Sequence, residues 1–324
     1  MRRLLINFLA ALLAVLTTAA FAQTAYPTKP VRLIVPYPPG GATDFFARTV
    51  FGKVGEVLGQ PVVIDNKPGA GTTIGSELVA NSAPDGYTLL IGDVGTYALN
   101  TSLYKKLRYD PQKAFAPISL TGRFPLLLLV NPSTLPVRNM AEFLAYAKSN
   151  PGKINYAAPG PGSPLHVAME LLKQQADLDM VAVPYKGGAD AAHDLLSGQV
   201  QVMFLDIATA QAQLKGGKLR ALAIASDKRR PAFPDLPTVI ESGVPGVEVY
   251  AWQGFVAPAG TPREVIAKLN SAFATAMQDP GVKQRLAEAE VEPLTGTPEE
   301  FSRYMASETA RWARVIKASN ISLQ

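Results

Sequence analysis

From residue 31 onward the chain keeps repeating one arrangement: a short apolar, β-rich run, a turn, then a stretch in which apolar residues recur at helical spacing. "VRLIV" precedes a helical pattern over 43–58, "PVVID" precedes one over 72–82, and "YTLLIGD" precedes another. Strands separated by helices pair in parallel through crossovers, so the alternation calls for βαβ units and a parallel sheet. In the first helix Phe46, Val50, Val54, Val57 and Leu58 mark the buried side, and Thr43 or Asp44 is expected to cap the N-terminus.

The arrangement then starts again. "PISLTGRFPLLLLVNPS", residues 117–133, is too long for one ordinary strand and is interrupted by Gly122 and Pro125, so it is expected to carry the chain from one lobe to another. "KINYAA", a helix from Pro164, "DMVAVPY", a helix from Ala189, "VQVMFLD", a helix near Ala210 and "LRALAIAS" repeat the first layout. A Pro-rich connection over 228–249 leads to "YAWQGFVAP". Two closing helices follow, with start signals at Thr261-Pro262-x-Glu264 and Thr297-Pro298-x-Glu300: a capping Thr, Pro at the first helical position and Glu at the third. The expected fold class is α/β, with two α/β lobes joined by two crossover strands. Residues 23–124 form the first part of lobe one, 125–249 lobe two, and 250–324 the return to lobe one. Lobes joined in this way leave a cleft and a hinge.

Residues 1–22 stand apart. Arg2 and Arg3, an apolar run over 4–16 and the small-residue end Ala20-Phe21-Ala22 predict a secretory leader cleaved after Ala22. The apolar run is shorter than a membrane span. Removing the leader, which holds no acid, lowers the +5 formal charge by two, and no basic block of the kind that nucleic-acid binding requires occurs. The absence of cysteine excludes disulfides, thiolate metal sites, cysteine nucleophiles and a lipidated N-terminal cysteine, which leaves the mature chain free in the periplasm.

Enzyme signatures are scarce. The two histidines, His166 and His193, are not spaced as a metal pair, and neither a Gly-x-Ser-x-Gly elbow nor a Gly-x4-Gly-Lys-Ser/Thr loop is present. "KPGAGTTIG" misses the dinucleotide spacing by one residue and follows the second strand, so no cofactor is expected. The remaining catalytic candidate is Ser163 with His166, three residues apart at a helix start, for which no orienting acid is evident.

Glycine turns are the recurring feature. In "PYPPGGATD" a strand delivers Gly40 and Gly41 to a helix N-terminus, where unpaired N–H groups and the positive end of the helix dipole suit an anion; a tight turn holding no ligand is the competing reading. "APGPGSP" repeats the design with Gly160 and Gly162, a Ser163 cap and Pro164 at the first helical position. Pro164 has no N–H, so its donors are expected to be the amides of Gly162, Ser163 and Leu165 and the Ser163 hydroxyl. Two such turns at strand C-termini, one per lobe, would face each other across the cleft.

"YPTKPVRLIVPYPPGGATD", "VVIDNKPGAGTTIG", "APDGYTLLIG", "VPYKGG", "LLSGQVQVMF", "GGKLRALAIAS" and "FVAPAGTP" together closely resemble the extracytoplasmic receptors of the tripartite tricarboxylate transporters, the Bug family, from residue 26 to the C-terminus. The resemblance implies a type II periplasmic binding protein, a Venus flytrap without enzymatic activity that closes on a small carboxylate and passes it to membrane permease subunits. It also allows a loaded form that signals to a membrane sensor. A monomer is expected. Carried over, the family's binding turns fall on Pro39, Gly40, Gly41, Ala42, Thr43 and Asp44 in lobe one, and on Gly160, Pro161, Gly162 and Ser163 in lobe two, with Tyr37 beside the first as a further ligand-binding candidate. The loops "DVGTYALN", with Thr96 and Tyr97, and "MFLDIAT", with Asp206, are expected to line the cleft, as is Lys186 of "PYKGG". The chain departs from the family in these loops: members often carry Ser and His where Gly95, Thr96 and Tyr97 stand, and an acid directly after the Met-Phe pair where Leu205 stands before Asp206. Tyr37, Phe45, Phe46, Tyr97 and Phe204 lie near the expected cleft, which brings an aromatic ligand such as a benzene dicarboxylate into consideration; core packing competes for Phe46 and Phe204. Arg48 and Lys67 are candidates for a second carboxylate, although their places inside a helix and just after a strand favour a solvated surface.

Overall fold

The computed structural model describes residues 26–160, 162–185 and 187–323. The expected leader, its cleavage site, Pro161 and Lys186 lie outside the described residues.

The first half of the chain runs β1 (Val31–Val35), α1 (Ala42–Leu58), β2 (Val62–Asn66), α2 (Thr73–Ala80), β3 (Thr88–Asp93) and, after a π-helical turn over Gly95–Leu99, α3 (Asn100–Leu103). The long β4 (Phe115–Val130) leads to α4 (Met140–Ser149), β5 (Asn155–Pro159), α5 (Pro164–Ala176), β6 (Val181–Tyr185), α6 (Gly188–Ser197), β7 (Val202–Asp206), α7 (Ile207–Lys215) and β8 (Arg220–Ile224). The chain ends with β9 (Tyr250–Pro258), α8 (Arg263–Ala276), α9 (Pro280–Glu288), the short β10 (Glu292–Pro293) and α10 (Pro298–Ala318). The alternation produces the expected parallel pairs: β1 with β2 and β3, and β5 with β6 and β7.

One sheet path, β2-β1-β3-β9-β4-β7-β5-β6, runs through both halves. The turning point is β4. Its residues up to Pro125 pair with β9, and from Leu126 onward it pairs with β7 and β8. The interruption expected at Gly122 and Pro125 is therefore not a break, because β4 is a single 16-residue strand. Register shifts around Pro117–Ser119 and Leu120–Gly122 absorb the irregularity, and Pro125 sits where one partner strand ends and the next begins, so its missing N–H disturbs no continuous ladder.

Two expected caps differ as well. Helix α1 starts from Gly41, which leaves Thr43 and Asp44 inside the first turn. Helix α8 starts from Pro262, and Thr261 donates its hydroxyl to Pro258 O instead of capping. At α10 the capping box of Thr297 and Glu300 forms as expected.

The core has three parts. One lies under α1 and α8, a second in the far half around Leu127, Met203 and Ala191, and the largest runs beneath both halves through Trp252, Tyr97, Leu126 and Phe204. Helix α10 closes this shared core: the buried Glu308 carboxylate accepts from Trp252 Nε1 at 2.8 Å and Trp312 Nε1 at 2.9 Å. Beside the turning point Arg123 of β4 reaches Glu292 at 2.8 Å and covers the Tyr250 ring, while Arg230, from the connection after β8, reaches Glu292 at 3.0 Å and Glu290 at 3.7 Å.

Candidate functional site

The turn after β1 is built by its own side chains. Gly40 has φ +86°, in the left-handed region where a side chain is disfavoured, and its N–H donates to Asp44 Oδ2 at 2.9 Å. The same Oδ2 accepts from Arg48 Nε at 2.9 Å, and Oδ1 accepts from Asn66 Nδ2 at 2.9 Å. Burial alone would raise the Asp44 pKa; hydrogen bonds from Arg48, Gly40 and Asn66 more than offset it and hold the carboxyl below its ordinary value. Both oxygens of Asp44 are thus engaged by the turn and its neighbours. The residue expected to contact ligand has a carboxylate that instead braces the turn, and its charge is balanced by Arg48. This accounts for Arg48 too, whose Nε is held by Asp44 and one terminal nitrogen by Asn66 at 3.0 Å; Lys67 pairs with Asp65 at 3.3 Å on the surface.

What the brace leaves free is the helix end. No side chain caps α1, and the amides of Ala42, Thr43 and Asp44 have no acceptor among the described residues. Three N–H groups and the helix dipole converge there with an anionic side chain neutralised beside them, which is the arrangement that binds a carboxylate or other oxyanion.

The turn after β5 is arranged differently. Gly160 N donates to Tyr185 O at 2.7 Å, Ser163 N to Gly160 O at 2.7 Å, and Gly162 N to His166 Nδ1 at 2.9 Å. The Ser163 hydroxyl donates to Pro159 O and accepts from His166 N. Of the four donors expected here, three are used within the turn, and the amide of Leu165 is the one with no acceptor among the described residues. Nor do Ser163 and His166 form a nucleophile and base, since the hydroxyl proton points at a carbonyl and the ring nitrogen already accepts from an amide. The turn abuts the opposite half of the chain: a Cβ on Gly162 would enter the Leu103 side chain, and one on Gly95 would lie 3.9 Å from Pro164.

Thr96 and Tyr97 were expected in the cleft, and the structure buries both. The Tyr97 ring stacks on Trp252 at 6.2 Å and its hydroxyl donates to Leu90 O and Gly254 O. Packed on a strand of the shared core, it cannot meet a ligand. The Thr96 hydroxyl donates to Thr72 Oγ1 at 3.2 Å and lies 3.4 Å from the Tyr37 hydroxyl. Asp93 Oδ1 gathers the amides of Gly95 and Thr96 at 2.7 and 3.2 Å, and burial raises its pKa despite these bonds. Asp206 likewise caps α7, accepting from the amide and hydroxyl of Thr209, both at 2.9 Å, and burial raises its pKa. Phe46 and Phe204 are core residues, whereas Tyr37 and Phe45 remain half-buried.

Gln253 was not anticipated. It stands opposite Asp93 on the neighbouring strand β9, donates its side-chain amide to Thr43 Oγ1 at 2.7 Å, and has a buried carbonyl oxygen with no partner. The available signal was one polar residue within the apolar run "YAWQGFVAP". A cavity of about 590 Å³ opens beside the first turn, lined there by Gly40, Asp44, Phe45 and Arg48, by Arg285 of α9, and from the other half by Gln211 of α7. Among the described residues no group of His, Cys, Asp and Glu is arranged to hold a metal ion.

Two α/β lobes on a shared strand, with glycine turns at the strand C-termini of each, define a Venus-flytrap binding protein. Residues 46–321 match the model of the tripartite tricarboxylate transporter family receptor, TctC, and the chain belongs to that family. Its members are receptors, which agrees with a site that lacks a nucleophile and base. Solved structures similar to this chain include Rpa4515 of R. palustris with adipate, 37% identical, TM-score 0.85, covering 92% of this chain and 99% of that one. The periplasmic binding protein BugD is 36% identical with a TM-score of 0.83, over 92% and 100%. MatC (Rpa3494) of Rhodopseudomonas palustris with bound malate is 36% identical with a TM-score of 0.81, over 90% and 100%.

Proposed function

We propose that the chain is a periplasmic solute receptor that captures a small mono- or dicarboxylate between its lobes and hands it to the membrane permease of a tripartite tricarboxylate transporter. The lobes in this reading are 23–124 with 250–324, and 125–249. The observation that carries it is the row of unpartnered amides of Ala42, Thr43 and Asp44 at the start of α1. One carboxylate docks on that helix end between Gly40 and Thr43. Lobe two then closes over it with Gly160, Gly162, Ser163 and the Leu165 amide, so selection comes from donors already in place and from a closure that only a ligand of suitable size allows.

The similar structures that hold adipate and malate support a flexible aliphatic diacid as the first choice. A benzene dicarboxylate remains in the set to be tried because Tyr37 and Phe45 are half-buried beside the turn and cavity. The test is thermal denaturation of the mature protein with adipate, malate, succinate, benzoate and terephthalate, each paired with its neutral amide. A carboxylate that binds should raise the melting temperature while its amide does not. Folded protein whose melting temperature responds to none of them would refute the proposal.

A further inference from the structure

We propose that His166 is the positioning residue of the second turn: its neutral imidazole holds the Gly162 amide, and protonating the ring releases that amide and weakens carboxylate binding. The inference rests on the receptor reading above, because it concerns the turn that closes on the ligand.

Gly162 has φ +77°, and its Cα faces the Leu103 side chain so closely that no Cβ fits. Nothing of its own side holds the residue there, so its place depends on what its amide meets. That partner is Nδ1 of His166 at 2.9 Å. A nitrogen that accepts a hydrogen bond carries no proton, so the contact fixes the tautomer with hydrogen on Nε2. Adding a proton to Nδ1 would set two N–H groups against each other, and the contact could not survive. In the same turn His166 N donates to the Ser163 hydroxyl at 3.3 Å, which ties the ring's own backbone to the cap. Together these bonds set the start of α5, where the Leu165 amide has no acceptor among the described residues.

The surroundings favour the neutral ring. His166 is 8% exposed and leans on the Tyr156 ring of β5 with centroids 6.1 Å apart. The titratable groups around it are Tyr156, together with Glu170 and Lys173 of its own helix; no ion pair to it is formed by any described residue of the opposite lobe. Glu170 is occupied, accepting from the Tyr156 hydroxyl and from Lys173 Nζ at 2.8 Å. Burial lowers the pKa of the ring below its ordinary value, with Glu170 opposing and Lys173 adding to the shift. Burial thus favours the neutral ring that the Gly162 contact requires, and the ring gains its proton at lower pH than an exposed histidine does.

The experiment follows His166 and Gly162 by ¹⁵N NMR in the ligand-free mature protein from pH 7.5 down through the titration of the His166 ring itself, and measures adipate affinity at both ends for wild type, His166→Asn and His166→Ala. The asparagine Oδ1 stands where Nδ1 stood and does not titrate. At pH 7.5 Nδ1 of the wild type should show the shift of an unprotonated nitrogen, and the Gly162 amide should move with the His166 titration. Adipate affinity should fall about threefold to tenfold on acidification, the value of one hydrogen bond. His166→Asn should restore most of the affinity that His166→Ala loses and should lack the excess pH dependence of the wild type; protonation of adipate itself affects all three proteins alike. A Gly162 resonance indifferent to the titration would overturn the proposal, as would equal pH profiles for wild type and His166→Asn or unchanged affinity in His166→Ala. If adipate fails to bind wild type at pH 7.5, the choice of ligand is at fault, and the two resonances still decide the role of His166.

Discussion

Asp44 offers the most direct test of how the first turn works. Replacing it by alanine removes the acceptor of the Gly40 amide, of Asn66 Nδ2 and of Arg48 Nε. Gly40 N–H loses its partner and Asn66 Nδ2 keeps only Tyr37 O at 3.0 Å, at about 1–2 kcal/mol together, whereas Arg48, whose side chain is 53% exposed, turns to water at little cost. That total corresponds to a fall in melting temperature of roughly 2–3 °C for a chain of this size. Arg48→Met should cost at least as much, because it leaves the buried Asp44 carboxylate without its counter-charge. Because the folded Asp44 carboxyl titrates below its unfolded value, its contribution is present above the ordinary aspartate pKa of about 3.9 and is lost as pH falls through the lowered folded value. Urea denaturation at pH 7 and at pH 3 reads both: the gap between wild type and Asp44→Ala should be wider at the first than at the second. In a carboxylate titration the variant should bind at least about tenfold more weakly, since the free amides of Ala42 and Thr43 follow the turn. Equal stability at pH 7 together with equal affinity would refute the bracing role.

Other outcomes follow from single contacts. Gly162→Ala should lower the melting temperature, because it places a methyl group inside Leu103 at a positive φ, whereas Gly41→Ala, whose added carbon would come no closer than 3.9 Å to Pro38 O, should leave stability unchanged and reduce anion affinity. Glu308→Ala strands two indole N–H groups and should cost about 3–5 kcal/mol in urea denaturation. Since Trp252 and Trp312 are the chain's two tryptophans, native emission should change with it. Glu292→Gln weakens the links to Arg123 and Arg230 beside the turning strand; it should change carboxylate affinity measured by calorimetry without contacting the ligand, and an unchanged affinity would show that these pairs do not influence closure.

Periodicity and turn chemistry located most elements. The βαβ order, the Ser163 cap with Pro164 behind it and the Thr297–Glu300 box depend on neighbours a few residues apart, and local sequence contains them. Tyr97 shows where that information ends: in sequence it is an aromatic in a loop that looks ready for ligand, and what removes it is Trp252, brought alongside by a strand 155 residues further on. The donors of the second turn failed for a related reason. Gly162 and His166 are four apart, close enough to notice, but whether the ring turns back on the amide depends on the packing of Tyr156 and Leu103. Asp44 and Gln253 follow the same logic, since their partners Asn66 and Thr43 come from other elements.

The place of β9 in the sheet sets the order in which the chain can be completed. Its residues Tyr250–Pro258 lie between β3 and β4 and pair with both, so synthesis of about three-quarters of the molecule leaves those two strands with bare facing edges. The strands of the other half, from Leu126 of β4 through β8, are by then complete and pair with one another. A chain that terminates before Tyr250 should thus hold one finished half tethered to one with open strand edges, the form most prone to edge-to-edge aggregation. Nascent chains stalled at that length should be the ones that most need a chaperone.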